Sequence, residues 1–333
     1  MTQTLADEDL ASTLDAYRSE LTGYCYRLLG GASDADDAVQ ETMLRAWRAY
    51  DRFEGRSSLR SWLYRIATNV CFDQLGSAAH RRERPMGLGA AQPPELERFG
   101  DVLPEERWVE PVPDDAVLPR SGDPAQMAVG HESIRLAFVA ALQHLPPRQR
   151  AVLVLREVLR WSAAEVSDLL DMSVAAVNSA LQRARATLGE KAPTPETTAP
   201  LPGEAWRDAL LERYLDAFER YDMDELVKLL REDALLNMPP YSMWVQGRSN
   251  VVTWMLGPGA ECRGSRCIPV RANGSPAFGQ YRPDLAHGGY YAWGLTVLEV
   301  DAEGLVRGIT AFLDTEAWFP RFGLPLRLDD DAA

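Results

Sequence analysis

The stretch that most constrains this chain is residues 161–188. Trp161-Ser-Ala-Ala-Glu-Val-Ser-Asp-Leu-Leu170 places Ser162 and Glu165 at capping-box spacing, which fixes a helix start. Asp171-Met-Ser173 then makes a tight turn. Residues 174–188 predict a second helix buried through Val174, Val177, Leu181 and Leu188. Two short helices about a three-residue turn form a helix-turn-helix. The second helix ends in Arg183 and Arg185 and turns Ala175, Ala176, Asn178, Ser179, Gln182 and Arg183 outwards, which suits the major groove of DNA. Upstream, Ile134, Ala137, Ala141, Leu142 and Leu145 predict an amphipathic helix that stops at Pro146-Pro147. Ala151, Leu155 and Val158 predict another over 148–159.

A net charge of −14 opposes nucleic-acid binding by the whole chain, so the distribution of charge decides the matter. Nine acids face only Arg18 and Arg27 between Asp7 and Glu41. Between Arg45 and Arg84 nine arginines face four acids, and from Met86 to Gly130 three arginines face nine acids. Alternating blocks of this kind suit a chain that touches both a protein and a polyanion.

The N-terminal block reads as helices. Ser33 with Asp36 reads as a capping box. Val39, Met43, Ala46, Trp47 and Tyr50 follow as a buried stripe, with Asp37, Gln40, Glu41, Leu44 and Arg48 on the opposite face. A loop over 51–57 precedes a helix capped by Ser57 or Ser58, which buries Leu59, Leu63, Ile66, Ala67 and Val70. Its other side aligns Arg65, Asn69 and Asp73, with Trp62 and Phe72 near, and it runs out into His80-Arg-Arg-Glu-Arg84. Polar groups, aromatics and a basic tail on one face fit unstacked bases beside phosphates, and equally a solvated helix face.

DADDAVQETMLRAWRAYDRF with SSLRSWLYRIATNVCFDQL resembles region 2 of the extracytoplasmic-function (ECF) sigma factors of bacterial RNA polymerase. LPPRQRAVLVLREVLRWSAAEVSDLLDMSVAAVNSALQRARATL resembles region 4 of the same family. The resemblance implies a promoter-specificity subunit with no catalytic residues, no cofactor and no metal. By that analogy Asp37, Gln40, Glu41, Leu44 and Arg48 dock on the clamp helices of the largest polymerase subunit, and region 4 approaches the flap. Phe53, Arg56, Ser57, Arg65, Asn69 and Asp73 take a flipped base and the minus-10 strand. Asn178, Ser179, Gln182 and Arg183 read the minus-35 element, with Arg185 on phosphate. Two positions depart from the family pattern: Asn178 stands where Lys or Arg is common, and Asp171 replaces the usual turn glycine.

The expected domains are region 2 over 10–85, an acidic linker over 86–130, region 4 over 131–190, a Pro/Thr tether over 191–204 and a last domain over 205–327. In the last domain, 205–230 reads as helix along Trp206, Leu210, Tyr214, Leu215 and Phe218. A turn at 237–241, a helix near 248–256 and strands at 267–273, 277–282, 290–300 and 305–312 follow. Helices before a curved antiparallel sheet give an α+β cone. ALLNMPPYSMWVQGRSNVVTWML, RANGSPAFGQYR and AWFPRFGLP resemble the SnoaL-like domain appended to certain actinobacterial sigma factors. The fold class is therefore two all-α sigma domains plus an α+β SnoaL-like cone. Met238, Trp244, Trp254, Asn273, Tyr281, His287 and Trp293, with Tyr241 and Tyr291 beside them, are candidates to line a small-molecule pocket in that cone, and the domain is expected to regulate the sigma regions within the chain. Two other readings stay open: a one-component helix-turn-helix regulator with a ligand sensor, or an enzyme on a DNA-binding module using His287 and Asp314.

No apolar run approaches a bilayer span and the first residues are acidic, so neither a membrane helix nor a signal peptide is expected. Four cysteines fit a reducing, cytoplasmic setting. Cys262 and Cys267, five apart, are a weak candidate pair or metal site.

Overall fold

The computed structural model describes residues 10–55, 57–77, 90–95, 101–104, 108–119, 123–191 and 204–329. Arg56, the basic run at 80–84 and most of the expected tether lie outside these residues. The chain divides into two compact units, one drawn from 1–82 and 114–192, the other from 83–113 and 193–333.

The first unit is helical: α1 (Arg18–Leu29), α2 (Ala32–Ala49), α3 (Leu59–Ser77), α4 (Asp114–Val117), α5 (Pro124–Ser133), α6 (Leu136–Leu142), α7 (Pro147–Leu153), α8 (Ala163–Leu170) and α9 (Val174–Lys191). Gly30 ends α1 in the left-handed conformation, φ 78°. α2 starts two residues earlier than its sequence suggests, with Gly31 as N-cap, so Ser33 lies inside the first turn and not at the cap. Ser58 caps α3, its Oγ accepting from the Ser61 amide at 3.0 Å. The Ser162–Glu165 box is complete, with bonds of 3.2 and 2.7 Å. Asp171 takes the left-handed turn, φ 52°, as a carboxamide-sized polar side chain tolerates.

The region 2 and region 4 helices share one core in this unit. Tyr64 of α3 lies against Trp161, ring centroids 5.0 Å apart, and the Arg60 guanidinium sits over both rings at 5.2 and 5.3 Å. Buried Arg27 donates to Ser133 Oγ at 2.9 Å and to the Gly23 carbonyl at 2.6 Å. Burial pulls its pKa down to about 10, so it remains charged near neutrality. Buried Arg150 donates to the carbonyls of Leu28, Gln143 and Leu145. Two expected core residues are on the surface instead: Trp47 is 40% exposed and Val174 43%.

The second unit packs α10 (Glu204–Glu219), α11 (Met223–Leu229) and α12 (Arg248–Leu256) with a seven-stranded sheet, and α13 (Thr315–Trp318) follows its last long strand. The strands are β1 (Leu230–Asn237), β2 (Trp244–Gln246), β3 (Arg266–Ala272), β4 (Ser275–Pro283), β5 (Tyr290–Val300), β6 (Val306–Phe312) and β7 (Arg327–Leu328). Their order is β2-β1-β6-β5-β4-β3, with β7 on β5; β1 and β6 run parallel and the other pairs antiparallel. The expected single helix over 205–230 breaks at Tyr221, φ 56°, where Asp222 caps the Glu225 amide at 3.1 Å. Leu210, Tyr214, Phe218, Leu236, Trp254 and Phe278 fill the cone between helices and sheet.

The stretch 86–130 is not one linker. Its later part forms α4 and α5 and belongs to the helical unit, whereas the described residues before Asp114 belong to the second unit. The Leu103 amide donates to the Pro240 carbonyl and the Ser242 amide to the Asp101 carbonyl, both at 2.9 Å. Val112 and Asn273 exchange two bonds of 3.1 Å, one through the Asn273 side chain. Trp108, Val109 and Val112 are each less than 5% exposed. No helix of the described residues is long and apolar enough to cross a membrane.

Candidate functional site

On α2, Ala35, Ala38, Val39, Thr42 and Ala46 are buried, so the helix turns its other side outwards. Asp37, Gln40, Leu44 and Arg48 are exposed there, and Glu41 is half-buried. Leu44, at 44% exposure, and Trp47 give this acidic face an apolar centre, the composition of a protein-binding surface. Trp47 was assigned to the core by periodicity alone. Arg45 bonds Glu41 at 2.7 Å and reaches Asp73 at 3.5 Å, tying this face to α3.

Leu63, Ala67, Val70 and Cys71 bury one side of α3, and Arg65, Asn69 and Asp73 stand exposed on the other. At its start, Tyr50, Phe53 and Trp62 form a continuous aromatic run with centroid spacings of 6.2 and 5.0 Å. Such a run gives an unstacked base a ring to lie on. Ser57 is exposed beside it, while Arg56 is not among the described residues. The structure brings Phe53 and Trp62 together, and it brings Asp73 to Arg45. The Arg65 guanidinium instead donates to the Asp168 carbonyl of α8 at 2.7 Å, so one candidate DNA contact is occupied within the protein.

In α9, Val177, Ala180, Leu181 and Ala184 face inwards. Asn178, Ser179, Gln182 and Arg183 are exposed along one surface, as a groove-reading helix requires. Arg185 is exposed too, with one guanidinium nitrogen 2.6 Å from Glu157.

The seven candidate pocket residues of the cone do not converge. Met238 and Trp254 border an internal cavity of only about 20 Å³. Asn273 holds Val112, and the Trp244 carbonyl accepts from the Gln92 amide at 2.9 Å. Tyr281 donates to the Pro325 carbonyl at 2.9 Å, and Trp293 stacks under Arg282 at 3.2 Å. His287 is exposed on a loop, 3.1 Å from Asp284, whose carboxyl is held down to about 2 chiefly by its bond to Arg327. Asp314 caps the Ala317 amide at 3.3 Å, so the two acid–base candidates serve separate local structures. Cys262 and Cys267 are free thiols, and Cys262 Sγ lies 3.1 Å from an Arg282 nitrogen.

A larger cavity, about 420 Å³, lies elsewhere in this unit. Residues 102–104, 108 and 110 form one wall, and residues 239–241, 312–314 and 318 the other. Sequence reading named only Tyr241 and Asp314 of its twelve lining residues, and five of the rest belong to a stretch with the composition of a linker.

Residues 13–81 match the Sigma-70 region 2 family and residues 135–188 match Sigma-70, region 4. The ECF RNA polymerase sigma factor SigG of Mycobacterium tuberculosis is 45% identical over 327 residues, covering 96% of this chain and 86% of that protein. SigJ of the same organism is 30% identical over 74% of this chain and 72% of its own length. The crystal structure of SigJ shares the fold, with a TM-score of 0.60 at 24% identity over 95% of this chain and 99% of that one. Two sigma regions in order, an α+β cone after them and identity of this extent make one conclusion: the chain belongs to the ECF RNA polymerase sigma factors.

Proposed function

We propose that this chain directs core RNA polymerase to minus-35/minus-10 promoters, with α2 on the polymerase, the Phe53–Trp62 run and Asn69 on the minus-10 strand, and α9 in the minus-35 major groove. The exposed row Asn178, Ser179, Gln182 and Arg183 on a helix buried by its opposite side carries this reading. Run-off transcription with core polymerase tests it. Arg183→Ala should weaken the minus-35 element by about 1–3 kcal/mol, the worth of a forked base contact. Asn69→Ala should reduce promoter opening at unchanged core affinity, because Asn69 faces away from the α3 core. Wild-type opening and promoter affinity in both variants would remove these residues from the interface.

The C-terminal domain is read as a regulator rather than an enzyme, because its central cavity is nearly filled and its acid–base candidates stand apart. It acts by holding residues 101–113, which a sigma factor threads between its two regions. Asn273→Leu removes the side-chain acceptor of the Val112 amide and places a branched residue at φ 55°. Transcription should rise in this variant, with faster amide exchange over 108–113. A fall in transcription would show that the clip supports activity instead of restraining it.

A further inference from the structure

The cavity lined by residues 102–104, 108 and 110 has the make-up of a cation site. Four aromatic side chains border it: Trp108, Tyr241, Phe312 and Trp318. Phe312 and Trp318 meet nearly at right angles, 68° with centroids 6.2 Å apart, and so form two adjoining walls of a box. Trp108, Phe312 and Trp318 are 4%, 2% and 7% exposed, which fixes their rings in place. The two charged residues of the lining, Glu110 and Asp314, are both acids, and no basic residue is among the described lining residues. Glu110 is 4% exposed. Asp314 spends one oxygen on the Ala317 amide.

Aromatic faces carry negative electrostatic potential, and the Asp314 carboxylate adds to it. The combination attracts an ammonium with an apolar body and repels anions. The volume, about 420 Å³, falls within the range of small-ligand sites, which begins at roughly 300 Å³. We propose that this cavity binds a small organic ammonium, quaternary or highly substituted, and that the ligand holds residues 102–104, 108 and 110 against the cone. Both walls meet at the backbone bonds Leu103–Pro240 and Ser242–Asp101, so an occupant touches the linker and the cone together. The binding claim is independent of whether the linker contact restrains or supports transcription.

Choline and its uncharged isostere 3,3-dimethylbutan-1-ol separate charge from shape. Equilibrium dialysis or calorimetry on the full chain should show choline bound at least ten-fold more tightly than the alcohol. Exchange of the Leu103 and Ser242 amides should slow on binding. Asp314→Asn retains an acceptor for the Ala317 amide and should lower choline affinity several-fold without changing the alcohol. Leu313→Trp should fill the cavity and abolish both, with far-UV circular dichroism and thermal melting showing that the chain folds. Equal affinity for the two probes, no saturable binding of choline, or binding unchanged by both substitutions would overturn the proposal. So would a trimethyl-lysine peptide binding more tightly than choline, since that would make the ligand a protein tail.

Discussion

Replacing Arg150 by Ala should cost the helical unit about 3–5 kcal/mol, since it leaves several buried neutral acceptors without a donor at about 1–3 kcal/mol each. The Arg150 side chain is 4% exposed and donates to three main-chain carbonyls: Leu28 near the end of α1, Gln143 after α6, and Leu145 before α7. It also donates to Gln143 Oε1 at 2.6 Å. Helix ends leave carbonyls without intrahelical donors, and a cation there also opposes the negative end of the helix dipole. Arg150 therefore answers one helix end from region 2 and another from region 4 with a single group. Alanine leaves these acceptors buried with no donor to replace it. Lysine keeps the charge, but a single ammonium cannot span the fork, so Arg150→Lys should recover only part of the loss. Urea unfolding followed by circular dichroism measures both. A loss below about 1 kcal/mol in Arg150→Ala would mean that the two regions are joined by apolar packing alone.

That joint was not legible in the sequence, and the reason is physical. Periodicity records which residues are apolar, and an arginine in a helix reads as surface whatever lies against it. Arg27 is buried against the Ser133 hydroxyl and the Gly130 carbonyl, and Arg150 against the Leu28 carbonyl, all acceptors from elements far away in the chain. The opposite error occurred at Trp47 and Val174. A side chain reserved for another molecule carries the same apolar signal as one reserved for the core. Both lie on helices assigned to partners, so their exposure strengthens the assignment that periodicity had obscured.

Local signals served better where chemistry is local. The Ser162–Glu165 box and the left-handed Asp171 follow from short-range hydrogen bonding and sterics, and both stand in the structure. The four strands between residues 266 and 312 were found within two residues at each end, and the two-residue β7 was missed. β1 was missed because α11 ends at Leu229 and β1 starts at Leu230, with no Gly or Pro to mark the change. The cone's pocket was misplaced for a related reason: most of the aromatics named for it are packed core or hydrogen-bonded edge. The cavity that is open needs residues 102–104, 108 and 110 as a wall, and only the fold brings Val102 to Tyr241.

Locking region 2 to region 4 should abolish promoter-dependent transcription by more than a hundred-fold. In the helical unit the two regions share a core, and Arg65 of α3 is bonded to the Asp168 carbonyl of α8. Minus-35 and minus-10 elements are centred roughly 25 base pairs apart, about 85 Å at 3.4 Å per base pair. A compact body of this unit's length has a radius of gyration of only about 15 Å. Its two reading surfaces cannot reach both elements while the Tyr64–Trp161 contact persists. On the proposed reading the regions separate before both elements are engaged, and that separation frees Arg65 from the Asp168 carbonyl. Arg65→Cys with Asp168→Cys, joined by a short bis-maleimide, prevents that separation. Cys25, Cys71 and Cys262 are buried, so exchanging half-buried Cys267 for Ser confines the reagent to the introduced pair. Each single-cysteine variant, capped with a monofunctional maleimide, controls for loss of the side chain. The bridged protein should transcribe more than a hundred-fold less than the capped Arg65→Cys variant, which sets the cost of losing that side chain, while a bridge made from a reducible linker should restore transcription to that variant's level when reduced. Full transcription by the bridged protein would show that both elements are read without opening this joint, and the packed arrangement would then be the working one.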